Sequence, residues 1–207
     1  VSLANASTSN ALDAWRYADA EEAQAAWIPS SQSPTAGVAD NGALLVHADF
    51  AEGADRAYWD AAVAWDLSRY GRMSFSVGVD GAAAVGHLTI YFRSGDGWYG
   101  ASFAAHEGKR DVTLRKTDFN VEGEPTGWGS IDAVRLAIWA GAPRPVMATY
   151  SDLVAHSDDL VVVRGARTRT VSSGNWPTVQ RVAEDMTDLL AGLGVQYGAV
   201  EDADVEA

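Results

Sequence analysis

HLTIYFRSGDGWYGASF, residues 87–103, decides how the chain is read. Two apolar-rich runs flank SGDG, a glycine- and aspartate-rich tetrapeptide of the kind that closes a β-hairpin. With SGDG as a four-residue loop, Arg93 falls opposite Trp98. The ladder then continues Phe92 with Tyr99, Tyr91 with Gly100, Ile90 with Ala101, Thr89 with Ser102 and Leu88 with Phe103. Strand side chains alternate between faces, so this register sorts the hairpin into two surfaces. Leu88, Ile90, Phe92, Tyr99, Ala101 and Phe103 form an apolar face that must be core. His87, Thr89, Tyr91 and Arg93, beside Trp98, Gly100, Ser102 and Ala104, form a mixed polar and aromatic face with the composition of an accessible surface.

The same alternation extends on both sides of the hairpin. ALLVHADF (43–50) and MSFSVGVD (73–80) alternate strictly, and AYWDAAVAWDL (57–67) places Trp59, Val63, Trp65 and Leu67 on one face. DVTLRK, VRLAIW and VMATYSDLVA supply further strands, separated by Gly, Asp and Pro clusters. Upstream, DAEEAQAAW suits a short helix and SQSPTAG a loop. From residue 43 to about residue 154 the pattern is that of an antiparallel β-sandwich, and the domain is expected to span 1–157.

The last fifty residues have another character. LVVVRG (160–165) is a continuous apolar run, the segment 177–193 has helical spacing between Pro177 and Gly194, and VQYGAV reads as a second strand. The expectation for 158–207 is a β-α-β extension, read either as the start of a second, truncated α/β domain or as an appendage completed on the sandwich. Arg164, Arg167 and Arg169 would lie at the carboxyl end of its first strand, where α/β proteins bind ligands.

Composition narrows the function. A formal net charge of −13, with Lys109 and Lys116 the only lysines, opposes nucleic acid and anionic membranes as partners. Polyanionic ligands are disfavoured for the same reason unless basic groups cluster locally. The chain has no cysteine, which excludes disulfides and thiolate chemistry. VSLANASTSNALDAW is no signal peptide, although its small polar residues suit a chain that begins just after cleavage. No phosphate loop, dinucleotide fingerprint or GxSxG occurs, and the four histidines lack metal-ligand spacing, so a non-catalytic role is expected.

The polar and aromatic face of the hairpin suits a sugar. A pyranose presents C–H patches to an aromatic ring while its hydroxyls take hydrogen bonds from planar polar groups. Trp98 and Tyr91 would stack, Arg93 and His87 would hydrogen-bond, and Ser102 completes the candidate set. Gly100, opposite Tyr91, would leave open space for the ligand. The alternative is that Trp98 covers Gly100 and protects the backbone. A calcium ion is considered at Asp49 and Asp152, hard oxygen donors near loops.

The run from Asp66 to Leu153 resembles the jelly-roll carbohydrate-binding modules of galactose-binding-like fold and relatives of the complex I intermediate-associated protein 30 family. DLSRYGRMSFSV, YFRSGDGWYGASF, TDFNVEGEPTGWGSIDAVRLAIWAG and the closing YSDL carry it. AAHEGKRD stands where related modules often place another tryptophan. The resemblance implies a secreted or envelope-associated module of a larger bacterial polysaccharide-processing enzyme, binding a polysaccharide or oligosaccharide beside a catalytic domain. The alternative it leaves is a structural module that docks that domain and binds no sugar.

Overall fold

The structure is a computed structural model that describes residues 2–30, 33–164 and 197–201, and the side chains of 9–30 and 33–157. It is mainly β. The elements are β1 (Ser2–Asp13), α1 (Ala20–Ala26), β2 (Ile28–Pro29), β3 (Gly37–Val38), β4 (Leu44–Asp49), β5 (Arg56–Trp65), β6 (Arg72–Asp80), β7 (Val85–Phe103), β8 (Gly108–Arg115), β9 (Asn120–Pro125), β10 (Ile131–Ala140), β11 (Pro145–Arg164) and β12 (Tyr197–Glu201). One sheet runs β3-β4-β11-β6-β8, with β1 and β12 also paired to β11; the other runs β2-β5-β10-β7-β9. The helix and tail arginines expected between residues 165 and 196 lie outside the described residues, as do Ser31 and Gln32.

The chain divides into two bodies, residues 10–155 and residues 1–9 with 156–207. In the first, the two sheets bury the alternating positions read from the sequence: Leu44 and Val46 of β4, Met73, Phe75, Val77 and Val79 of β6, and Val134, Leu136 and Ile138 of β10. The segment before α1 is part of this core. Trp15, fully buried at φ 48°, packs edge-on against Trp27, Phe75 and Tyr150. It is held in place by the hydrogen bond from Leu44 N to its carbonyl and by the Arg16–Asp152 ion pair of 3.1 Å. The short helix forms where expected, capped by Asp19, whose carboxylate accepts from Glu22 N at 3.0 Å.

In the second body, Leu160–Arg164 pairs in parallel with β12, Leu160 opposite Tyr197 through Arg164 opposite Glu201. Parallel neighbours need a crossover of about a dozen residues or more, and residues 165–196 are long enough to supply it. VMATYSDLVA and LVVVR, expected in separate strands, belong to the single strand β11. The polar HSDD between them interrupts the hydrophobic pattern without ending the strand.

Trp128 closes one end of the sandwich. Its ring stacks on Tyr99 at 4.1 Å, meets Phe119 edge-on at 5.2 Å and lies 5.9 Å from Phe92, while the Lys116 ammonium sits 5.2 Å above it. Lys116 also donates to the carbonyls of Leu67 and Ser68, and burial holds its pKa below the ordinary lysine value. Trp128→Ala should cost about 3 kcal/mol in a urea melt, as truncation of a large packed ring does. Residues 10–155 produced alone should unfold in one cooperative transition by circular dichroism, because one contiguous apolar core runs from Trp15 to Ala155 within them.

A candidate glycan-binding face on the second sheet

The 19-residue strand β7 doubles back on itself. Residues 13 apart on a straight strand would lie about 43 Å from each other, whereas the hydroxyls of Thr89 and Ser102 are 2.9 Å apart. The fold-back lies at SGDG, where Gly95 takes a left-handed φ of 59°. Thr89 opposite Ser102 and Tyr91 opposite Gly100 is the register read from the sequence. The turn itself is no free loop. Residues 95–97 pair with 123–125 of β9, and the buried Ser94 hydroxyl bonds to Thr126 Oγ1 at 2.8 Å and to the Gly127 carbonyl at 2.7 Å.

Pairing of β10 with β5 and with the first arm of β7 extends the hairpin's outer face into rows across the strands. Arg56, Trp139 and His87 form one row; Tyr58, Ala137, Thr89 and Ser102 the next. Asp60, Arg135, Tyr91, Gly100 and Asn120 form the third, and Ala62, Ala133, Arg93, Trp98 and Glu122 the fourth. In the second row Ala137 and Thr89 are buried, Tyr58 is half-buried and Ser102 is exposed. The sequence placed Trp98, Tyr91, Arg93, His87 and Ser102 on one face, and the structure brings all five there. It adds Tyr58, Asp60, Arg135, Trp139 and Arg56 from β5 and β10.

Arginine and aromatic side chains interlock along this face. The Arg135 guanidinium lies 4.2 Å from the Tyr58 ring centroid and 4.4 Å from that of Trp98, and it binds Asp60 through two hydrogen bonds of 2.6 and 2.8 Å. That carboxylate, foremost, raises the pKa of Arg135. Arg93 lies 5.7 Å from the Trp98 ring and binds Asp132 at 2.6 Å. Tyr91 meets Trp98 edge-on at 6.1 Å; burial first, then the charge of Glu122, raises its phenol pKa. His87 stacks on Trp139 at 5.2 Å, and Arg56 lies 5.2 Å from the rings of both Tyr58 and Trp139.

Two expectations need correction. No open space lies above Gly100, since a Cβ there would sit 2.6 Å from the Tyr91 ring. Tyr91, not Trp98, covers the glycine, which leaves Trp98 half-buried between Arg135 and Tyr91. Nor do Asp49 and Asp152 share a metal site. Asp49 pairs with Pro145 on β11, and Asp152 stands seven residues farther along that strand, about 23 Å away. Asp152 is bound by Arg16, and its pKa is lowered chiefly by the Ser151 side chain and then by that arginine. Among the described residues no group of three His, Cys, Asp or Glu is placed to hold a metal ion, and no helix is long and apolar enough to cross a membrane.

The architecture recurs among solved structures. The family 11 carbohydrate-binding module of a Clostridium thermocellum cellulosomal cellulase matches 72% of this chain over 94% of its own length, at 11% identity and a TM-score of 0.49. A variant of a family 29 carbohydrate-binding module matches 73% of this chain over 86% of its own, at 11% identity and a TM-score of 0.44. An agarase matches 74% of this chain at 13% identity and a TM-score of 0.53, over only 25% of the agarase chain. At these identities the likeness is one of fold. No protein-family model and no curated protein matches the sequence.

Arg135 holds the face together. Its side chain is 23% exposed and that of Asp60 36%, which places the pair between surface and buried ion pairs. Arg135→Met should therefore cost about 2 kcal/mol in denaturant unfolding, more than exposed pairs and less than fully buried ones. It should also alter the tryptophan emission, which Arg135→Lys should restore in part.

Proposed function

We propose that this chain is a non-catalytic carbohydrate-binding module that takes a polysaccharide or oligosaccharide on the outer face of the second sheet. The observation that carries the reading is the cluster of half-buried aromatic rings and fixed planar donors that Tyr91, Trp98, Trp139, Arg93 and Arg135 form on this face. Tyr91, Trp98 and Trp139 supply C–H stacking surfaces, and Arg93, Arg135, His87 and Ser102 supply hydrogen-bonding groups. Strands lie about 4.8 Å apart, so the four strand arms from β5 to the return arm of β7 span about 14 Å. That length suits a few sugar units laid across the strands.

The low relief supports a weak and shallow mode of binding. Rigid aromatic and guanidinium groups favour it, because little side-chain entropy remains to be lost when the ligand arrives. In this reading the chain belongs to a larger, secreted or envelope-associated bacterial enzyme acting on polysaccharide, and the module delivers that enzyme to its substrate. The interlocked placement of Trp98 favours a second reading, a docking module that binds no sugar. There the same rings serve to stiffen a surface against a neighbouring domain.

Titration with cello-, laminari-, xylo- and agaro-oligosaccharides and with oligogalacturonides, monitored by tryptophan fluorescence, separates the two. Trp98→Ala should reduce affinity for the bound glycan at least tenfold while lowering stability by about 1–2 kcal/mol, the range of a half-buried ring. Equal binding by variant and parent would remove Trp98 from the site. Absence of binding by the parent, with a large fall in melting temperature for the variant, would assign the ring to structure.

A further inference from the structure

Charge on the outer face is arranged unevenly. Of its three arginines, Arg135 is matched by Asp60 and Arg93 by Asp132, at N–O distances of 2.6 Å in both pairs. Arg56, which is exposed, has no carboxylate partner among the described residues. Its guanidinium is instead held against two rings, 5.2 Å from each of the Tyr58 and Trp139 centroids, and His87 stacks on the far side of the same row. A cation–π contact fixes the group by its charge while consuming none of its acceptor-seeking N–H donors in an ion pair. The two paired arginines present locally neutral units suited to hydroxyl groups. Arg56 presents a positioned, uncompensated fork, to which two oxygens of one carboxylate or sulfate group can each accept a hydrogen bond.

We infer that the glycan is acidic, and that Arg56 receives its carboxylate or sulfate group beside Tyr58 and Trp139. The inference rests on the reading of this face as a glycan site. Glu122 of β9, which has no arginine partner among the described residues, stands opposite Trp98 at the other edge, with Asp96 and Glu124 paired in the next row. Ligand charge is therefore directed to the β5 edge and kept from the β9 edge, which gives the chain a preferred orientation across the strands.

The test uses matched ligands on the full chain: oligogalacturonide against its methyl ester, and sulfated against desulfated galactan oligosaccharide, with the parent and Arg56→Gln. For the acidic member of one pair, the parent should bind about tenfold more tightly than for its neutral partner, the order a charge-assisted hydrogen bond supplies. That preference should vanish in Arg56→Gln and diminish as sodium chloride rises from about 0.05 to about 0.5 M. Affinity for the neutral member should fall much less than affinity for the acidic one. The pair that shows the preference identifies the anion as carboxylate or sulfate. Equal affinity of the parent for acidic and neutral members would overturn the inference and leave the glycan face standing, as would a preference that Arg56→Gln retains. Failure of the parent to bind any of the four ligands or the neutral oligosaccharides above would overturn the glycan face itself, and the inference with it.

Discussion

The register of the β7 hairpin governs everything else on the second sheet, and two effects of different size set it. The Ser94 hydroxyl, fully buried, bonds to Thr126 and to the Gly127 carbonyl and so ties the turn to the segment between β9 and β10. Each such bond contributes about 1 kcal/mol net. A slip of one residue would carry Leu88, Ile90 and Phe92 from core to solvent, and at about 2 kcal/mol for each fully buried side chain this loses about 6 kcal/mol. Apolar alternation therefore chooses the register. Ser94 adds specificity by satisfying the buried turn in that register alone, which fixes how the hairpin meets both neighbouring strands.

Once the register is set, the outer face has no freedom to arrange its large side chains independently. Tyr58 comes from β5, Arg135 from β10 and Trp98 from the return arm of β7, three positions far apart in sequence. The guanidinium between the two rings, clamped by Asp60, converts them into one unit. With Arg135 interposed, the Tyr58 and Trp98 rings are held on either side of one guanidinium, and the surface is organised before any ligand arrives.

Much of this was legible in the sequence because it depends on a period of two. The core faces of β4, β6, β7 and β10 and the pairing of Thr89 with Ser102 all follow from alternation and one turn. What alternation cannot supply is which strands become neighbours. Tyr58 and Asp60 stand on the outward parity of AYWDAAVAWDL, and Arg135 and Trp139 on that of VRLAIW, so their facing was available, but their meeting with Trp98 required the order β5-β10-β7. The covering of Gly100 by Tyr91 was hidden for a related reason. Register identifies opposite residues, whereas which ring leans over a glycine depends on side-chain rotamers that alternation does not fix. Strands β1 and β9 carry polar sequences, SLANASTSNALD and NVEGEP, and gave no hydrophobic signal to read.

Net charge illustrates the same limit from the side of function. A total of −13 argues against anionic partners only if the field at a site reflects the sum over the chain. At physiological ionic strength charges farther apart than about 8 Å are largely screened, so a ligand group responds to the few side chains within that distance. On this face Asp60 and Asp132 are engaged by Arg135 and Arg93, and Glu122 stands at the far edge on β9. The carboxylates that dominate the composition act elsewhere, on solubility and long-range encounter. What an approaching anion meets at the β5 edge is Arg56 between two rings, and there the sign of the whole protein has little influence on the sign of the site.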